Sequence, residues 1–125
     1  MNSNAERSAP EPILEPELPI VDAHHHLWVQ PESMLAALDK STTMGGKVLA
    51  KVFRGNARYT LDEFLAQARS GHNIRGSVFA ECHTMYKSSG PETMRSVGEV
   101  EFVNGIAAMS ASGLFGDIRV AAGIV

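Results

Sequence analysis

Residues Pro19 to Trp28 read PIVDAHHHLW, an apolar run that closes on an aspartate and three consecutive histidines, His24, His25 and His26. The segment from Ile20, bounded by Pro19, has the length and character of a short buried strand. In extended backbone alternate side chains share a face, so His24 and His26 point one way and His25 the other. The Cα atoms of His24 and His26 then lie about 6.6 Å apart, twice the strand rise per residue. Both imidazoles can converge on one divalent ion, each nitrogen at the roughly 2.0–2.1 Å that zinc prefers. Asp22 has the parity of the pair one step deeper, where it would orient a ligand histidine or steady the strand end. Spacing alone leaves a second reading open, because a histidine at a strand end is commonly a satisfied structural residue. The run is internal and framed by IVDA and LW, which argues against a tag.

Further along, the pattern alternates between helix and strand. ESMLAALDK, Glu32 to Lys40, suits a helix with Met34, Leu35 and Leu38 inward, and STTMGG interrupts it. KVLAKVF fits either a strand or a short helical turn. TLDEFLAQARSG is a clear helix, with Leu61, Phe64, Leu65 and Ala68 on one face. Thr60 and Glu63 form a capping box at its start, and Gly71 supplies a left-handed stop. NIRGSVFAECH reads as a second strand, Ile74 to Cys82. A helix follows from about Pro91, with Met94, Val97, Val100, Val103, Ile106 and Ala107 as its buried stripe and Gly98 and Gly105 weakening it. IRVAAGIV is a third buried strand. This is the grammar of parallel α/β structure, in which function collects at the carboxyl ends of strands.

Composition narrows the classes. The 125 residues suit one domain, and 44% apolar content with a net charge of -3 describes a globular chain. Lysine and arginine are scattered, which gives no footprint for nucleic acid or an anionic membrane. Cys82 is the single cysteine, so a reducing compartment is the default. No apolar run is long enough to span a bilayer, and MNSNAERSAPEP lacks the core of a secretory signal, so a cytoplasmic location is expected. Pro10, Pro12, Pro16 and Pro19 are four of the six prolines. Residues 1–18 read as an extended arm, with Ile13 and Leu14 able to drape it over the body, and residues 19–125 read as the domain.

VDAHHHLW resembles the first-strand motif of the amidohydrolase superfamily, in the amidohydrolase-related (amidohydrolase 2) branch, where D-x-H-x-H is often followed by Leu-Trp. LDEFLAQARSGHNIRGSVFAECHTMY and GPETMRSVGEVEFVNGIAAMSASG resemble the second-strand region and next helix of that branch, so the likeness covers nearly everything from Pro19 to Val125. It implies the N-terminal part of a (β/α)8 TIM-type barrel, with about three strands and two main helices. It also implies His24 and His26 as ligands of one divalent metal ion, zinc first and manganese second. The activated water would hydrolyse a lactone or similar carbonyl substrate. Some members of the branch decarboxylate instead.

The departure from the branch is size. Such a barrel takes about 250 residues, and the strand-eight aspartate that normally acts as base has no counterpart here, which leaves the catalytic residue unknown. The reading is therefore a metal-dependent hydrolase when full length, with the 125-residue chain alone inactive. The alternative is a non-catalytic truncated remnant or interaction module lacking a complete metal site. Either way an exposed barrel edge invites oligomerisation. Glu81 and His83 share a face at the end of the second strand and could touch substrate, against the plain reading of a surface pair. Trp28 and Tyr86 could line a pocket for an organic ring, although packing explains each as well. Cys82 suits packing better than nucleophilic attack, His72 suits a loop hydrogen bond, and a solvated face explains at least one of Glu99 and Glu101.

Overall fold

A computed structural model describes residues 11–125. The elements run β1 (Pro19–His25), β2 (Trp28–Val29), α1 (Glu32–Asp39), α2 (Met44–Gly55), β3 (Arg58–Tyr59), α3 (Leu61–Ala68), β4 (Asn73–Phe79), a 3-10 turn (Glu92–Met94), α4 (Val97–Ala111) and β5 (Arg119–Ile124). β1, β4 and β5 form a three-stranded parallel sheet in the order β1-β4-β5, while β2 and β3 pair as a separate antiparallel ribbon. The architecture is α/β. The expectation of the N-terminal part of a TIM-type barrel reduces to this coarser α/β topology: the three parallel strands form an open sheet, and among the described residues they do not close into a barrel.

The N-terminal arm divides. Residues 1–10 lie outside the described residues. From 11 onward the chain runs along the start of β4, where the Asn73 side-chain amide donates to the Glu17 carbonyl at 2.9 Å. Ile13 sits against Gly71, close enough that a Cβ there would meet its Cδ1. Leu14 is exposed, so only one of the two apolar residues drapes.

One face of the sheet is covered. Leu61, Phe64, Leu65 and Ala68 of α3, with Val103 and Ile106 of α4, pack on Phe79, Ile118, Val120 and Ala121. At the start of α3 the capping box forms. The Glu63 carboxylate accepts from the Thr60 backbone N–H at 2.7 Å and from its hydroxyl at 2.9 Å. The first of these bonds holds the Glu63 carboxyl below the usual carboxylate range.

Several expectations change in register. The segment KVLAKVF becomes part of α2, whose N-cap Thr43 accepts from the Gly46 N–H at 3.1 Å. α2 buries no residue, and Met44, Val48, Leu49 and Val52 are exposed. In α1 Leu35 is buried but Met34 is not. The helix expected from Pro91 begins as the 3-10 turn and restarts at Val97. The change of pitch takes Met94 out of the stripe, and Val100 is exposed as well. The inward face of α4 is instead Glu99, Val103, Ile106 and Ser110, together with Gly98. A Cβ at Gly98 would lie 2.2 Å from the Met85 carbonyl oxygen, so this glycine permits the helix to touch the loop after β4.

Both edge strands are irregular. Between Asp22↔Ser77 and His25↔Phe79, β1 spends three residues where β4 spends two, which is a β-bulge. In β5 the five residues from Arg119 to Gly123 face the three from Gly76 to Val78. The excess is absorbed at Ala121, whose φ of 51° is left-handed and costly for a residue with a Cβ. Two buried serines pin it. The Ser77 hydroxyl accepts the Ala121 N–H at 3.0 Å; that of Ser110 accepts the Val120 N–H at 2.8 Å and donates to the Ile118 carbonyl at 2.7 Å.

Candidate functional site

The three histidines separate at the β1 bulge. His25 turns under the sheet and is buried, its ring 4.5 Å from that of Phe64 and edge-on to Phe79. Its Nε2 bonds the Ser77 hydroxyl at 2.9 Å, and its Nδ1 is buried without a partner among the described residues. Burial pushes the His25 imidazole below its ordinary value, against the opposing pull of the Asp22 carboxylate and the nearby His26 backbone. His24 is exposed and His26 half-buried, and their rings meet at right angles with centroids 4.9 Å apart. His26 Nδ1 lies 2.8 Å from the Ala80 carbonyl. A carbonyl only accepts, so Nδ1 carries the proton and Nε2 of the neutral ring is the acceptor. His24 Nε2, 3.3 Å away, donates to it.

Asp22 does not join that pair. It accepts the backbone N–H of His24 at 3.1 Å and lines a cavity with His25 and Phe64, on the helix side of the sheet. The bulge explains this, because one extra residue reverses side-chain parity between Asp22 and the histidines. Ser77 had no motif to mark it. The one available signal was a lone hydroxyl inside the apolar run of RGSVFA.

At the end of β4 the chain enters a loop with two left-handed residues, His83 (φ 61°) and Met85 (φ 52°). Glu99 of α4, buried, holds it: its Oε1 accepts the Cys82 N–H at 2.8 Å and the Thr84 N–H at 3.2 Å. The loop presents Glu81, His83 and Tyr86 to solvent. The Tyr86 hydroxyl donates to Glu81, which pushes the phenol up to about 12, and His83 Nε2 stands 3.9 Å from the same carboxylate. Glu101 is exposed and pairs with Lys87 at 2.9 Å. Trp28 anchors the β2–β3 ribbon, stacked on Tyr59 at 5.0 Å and edge-on to Phe53, with its indole N–H donating to the Asn56 carbonyl at 2.7 Å.

The donor inventory overturns the expected chemistry. His24 and His26 present two nitrogens to one point, whereas a catalytic site takes three or more protein ligands. Among the described residues no group of three or more His, Cys, Asp and Glu side chains comes together to hold a metal ion. Zinc or manganese as cofactor, the metal-activated water, and with them the reading of this chain as a metal-dependent, lactonase-like amidohydrolase are therefore corrected. Asp22 is on the far side of the sheet, and Glu81 is engaged by Tyr86, so neither completes the set.

Cys82 is half-buried, and its thiol donates to the Leu27 carbonyl at 3.4 Å. Burial first, then the Glu99 charge, pushes the thiol up to about 11. Its thiolate is correspondingly scarce at neutral pH, so alkylation of the folded chain should run about a hundredfold slower than that of the urea-unfolded chain. Iodoacetamide labelling followed by mass spectrometry checks this, and equal rates would remove Cys82 from the packed interior.

The chain matches no family model, no curated protein and no solved structure. Among the described residues no helix is long and apolar enough to cross a membrane.

Proposed function

We propose that this protein is a non-catalytic interaction module, and that it associates with a second copy of itself through the open side of its sheet. One observation carries the reading: among the described residues the parallel sheet is covered on a single face. Parallel sheets are almost always buried on both. On the side away from α3 and α4, Val21 is 63% exposed and Ala23 is also open. β1 and β5 each keep an edge without a strand partner among the described residues. An unpaired edge beside exposed apolar surface is a template for another chain, and a two-fold interface uses the same patch twice. The likeness of VDAHHHLW to an amidohydrolase-related strand end belongs to this proposal too. On that reading the module derives from a barrel strand whose end has kept its shape without the hydrolytic centre.

Sedimentation velocity over a wide concentration series tests it. The expected result is reversible dimerisation, weakened tenfold or more by Val21→Glu, since a buried unpaired carboxylate in such an interface costs several kcal/mol. A wild-type chain that stays monomeric throughout, or a dimer indifferent to Val21→Glu, would sink the reading.

A further inference from the structure

Between β1 and α3 lies a cavity of about 230 Å³, whose lining includes Asp22, His25, Tyr59, Phe64, Gln67 and His72. It is separate from the exposed sheet face and does not depend on the association proposed above. Its volume falls below the range of drug-sized sites, so an occupant would be small.

The chemistry of the walls is one-sided. Among the described residues the lining contains no lysine or arginine. Asp22 supplies a carboxylate that has no cationic partner among the described residues. One of its oxygens accepts the His24 N–H, which leaves the second with its full acceptor capacity. Tyr59 and Phe64 add two aromatic rings. The Tyr59 hydroxyl is already donated to the Gln67 side-chain carbonyl, and this bond fixes the ring in place. Burial keeps His25 neutral near pH 7, so it does not compete as a positive charge. Burial, with the charges of Asp22 and Glu63, raises the Tyr59 phenol, so it stays un-ionised. A carboxylate set in an otherwise apolar, aromatic-lined wall suits an organic cation that carries an apolar body.

We propose that this cavity binds a small organic ammonium ion, its charge facing Asp22 and its apolar body resting on Tyr59 and Phe64. A carboxylate ligand would be repelled by Asp22. A neutral ligand of the same shape would leave the Asp22 carboxylate unpaired.

Isothermal titration and amide-resolved NMR with phenethylammonium chloride test this, with phenethyl alcohol and phenylacetate as matched neutral and anionic probes. The expected result is saturable binding of the amine that shifts the amides of Gln67, Ala68 and His72. The alcohol should bind at least tenfold more weakly and phenylacetate not at all. Asp22→Asn retains an acceptor for the His24 N–H, yet should weaken amine binding about ten- to hundredfold, the worth of a hydrogen bond to a charged group. The comparison of probes is made on the wild-type chain, so it stands even where the variant loses structure. Equal affinity for amine and alcohol, shifts confined to other residues, unchanged affinity in a folded Asp22→Asn chain, or no saturable binding would each overturn the proposal.

Discussion

Replacing Ser77 by alanine should remove about 2–4 kcal/mol of folding free energy, since two buried polar partners lose their hydrogen bond at about 1–3 kcal/mol each. The side chain is fully buried at the centre of the sheet. Its hydroxyl links β1 to β5, bonding His25 Nε2 at 2.9 Å on one side and the Ala121 N–H at 3.0 Å on the other. Without it the left-handed turn at Ala121 loses one of its two pins, and the His25 ring has no partner on either nitrogen. Chemical denaturation of Ser77→Ala measures the loss, and a change of less than about 0.5 kcal/mol, ordinary for surface sites, would refute the bridge.

The same network makes stability depend on pH through His25. Its folded value lies below the ordinary 6.5, so below that pH the unfolded ring binds a proton that the folded ring resists. Stability from this source is present above pH 6.5 and is lost as the pH falls toward the folded value. His25→Phe, which keeps an aromatic ring beside Phe64 and Phe79, should flatten that part of the slope as the pH falls below 6.5. An unchanged slope would assign the acid sensitivity to other groups.

Glu99→Ala is the second large effect. The carboxylate is 3% exposed and accepts the backbone N–H groups of Cys82 and Thr84. Truncation leaves one buried and one half-buried donor unpaired and opens a cavity under a loop that already holds His83 and Met85 in left-handed conformations. The expected loss is about 3–5 kcal/mol, combining hydrogen bonds to a charged acceptor with the cavity. Glu99→Gln retains a carbonyl acceptor and should lose markedly less. Hydrogen exchange supplies a local readout: the Cys82 and Thr84 amides should lose protection in Glu99→Ala more than amides of α3 do. Uniform loss across the molecule would mean that Glu99 supports the core in general and not this loop.

Much of this fold was legible from residue order. The spacing of Leu61, Phe64, Leu65 and Ala68 with the Thr60–Glu63 box defined α3, because helix period and capping are local properties. The three parallel strands were legible for the same reason, as short apolar runs between helical segments, although β4 ends at Phe79 and not at Cys82. α2 was not resolved from a strand because KVLAKVF alone is too short a window to separate the two; the helical spacing of Met44, Val48, Leu49 and Val52 shows only over the whole element.

The histidine run shows where local reading stops. Strand alternation put Asp22 with His24 and His26, and the motif's likeness to a metal-binding strand end completed the inference. Register between strands is a property of pairing, and the extra residue of β1 opposite β4 sent Asp22 to the helix side with His25. Whether two imidazoles become a metal site depends on a third donor brought from elsewhere in the chain. Sequence spacing cannot supply that, and the described residues bring none. The polar groups that tie distant strands and helices together, Ser77, Glu99 and Ser110, are equally non-local. In sequence each is an ordinary polar residue, and its partners lie 8 to 52 positions away. Local propensity and periodicity therefore determined which segments are helix and strand. Tertiary packing alone decided which polar side chains were buried against backbone donors and which histidine faced the core.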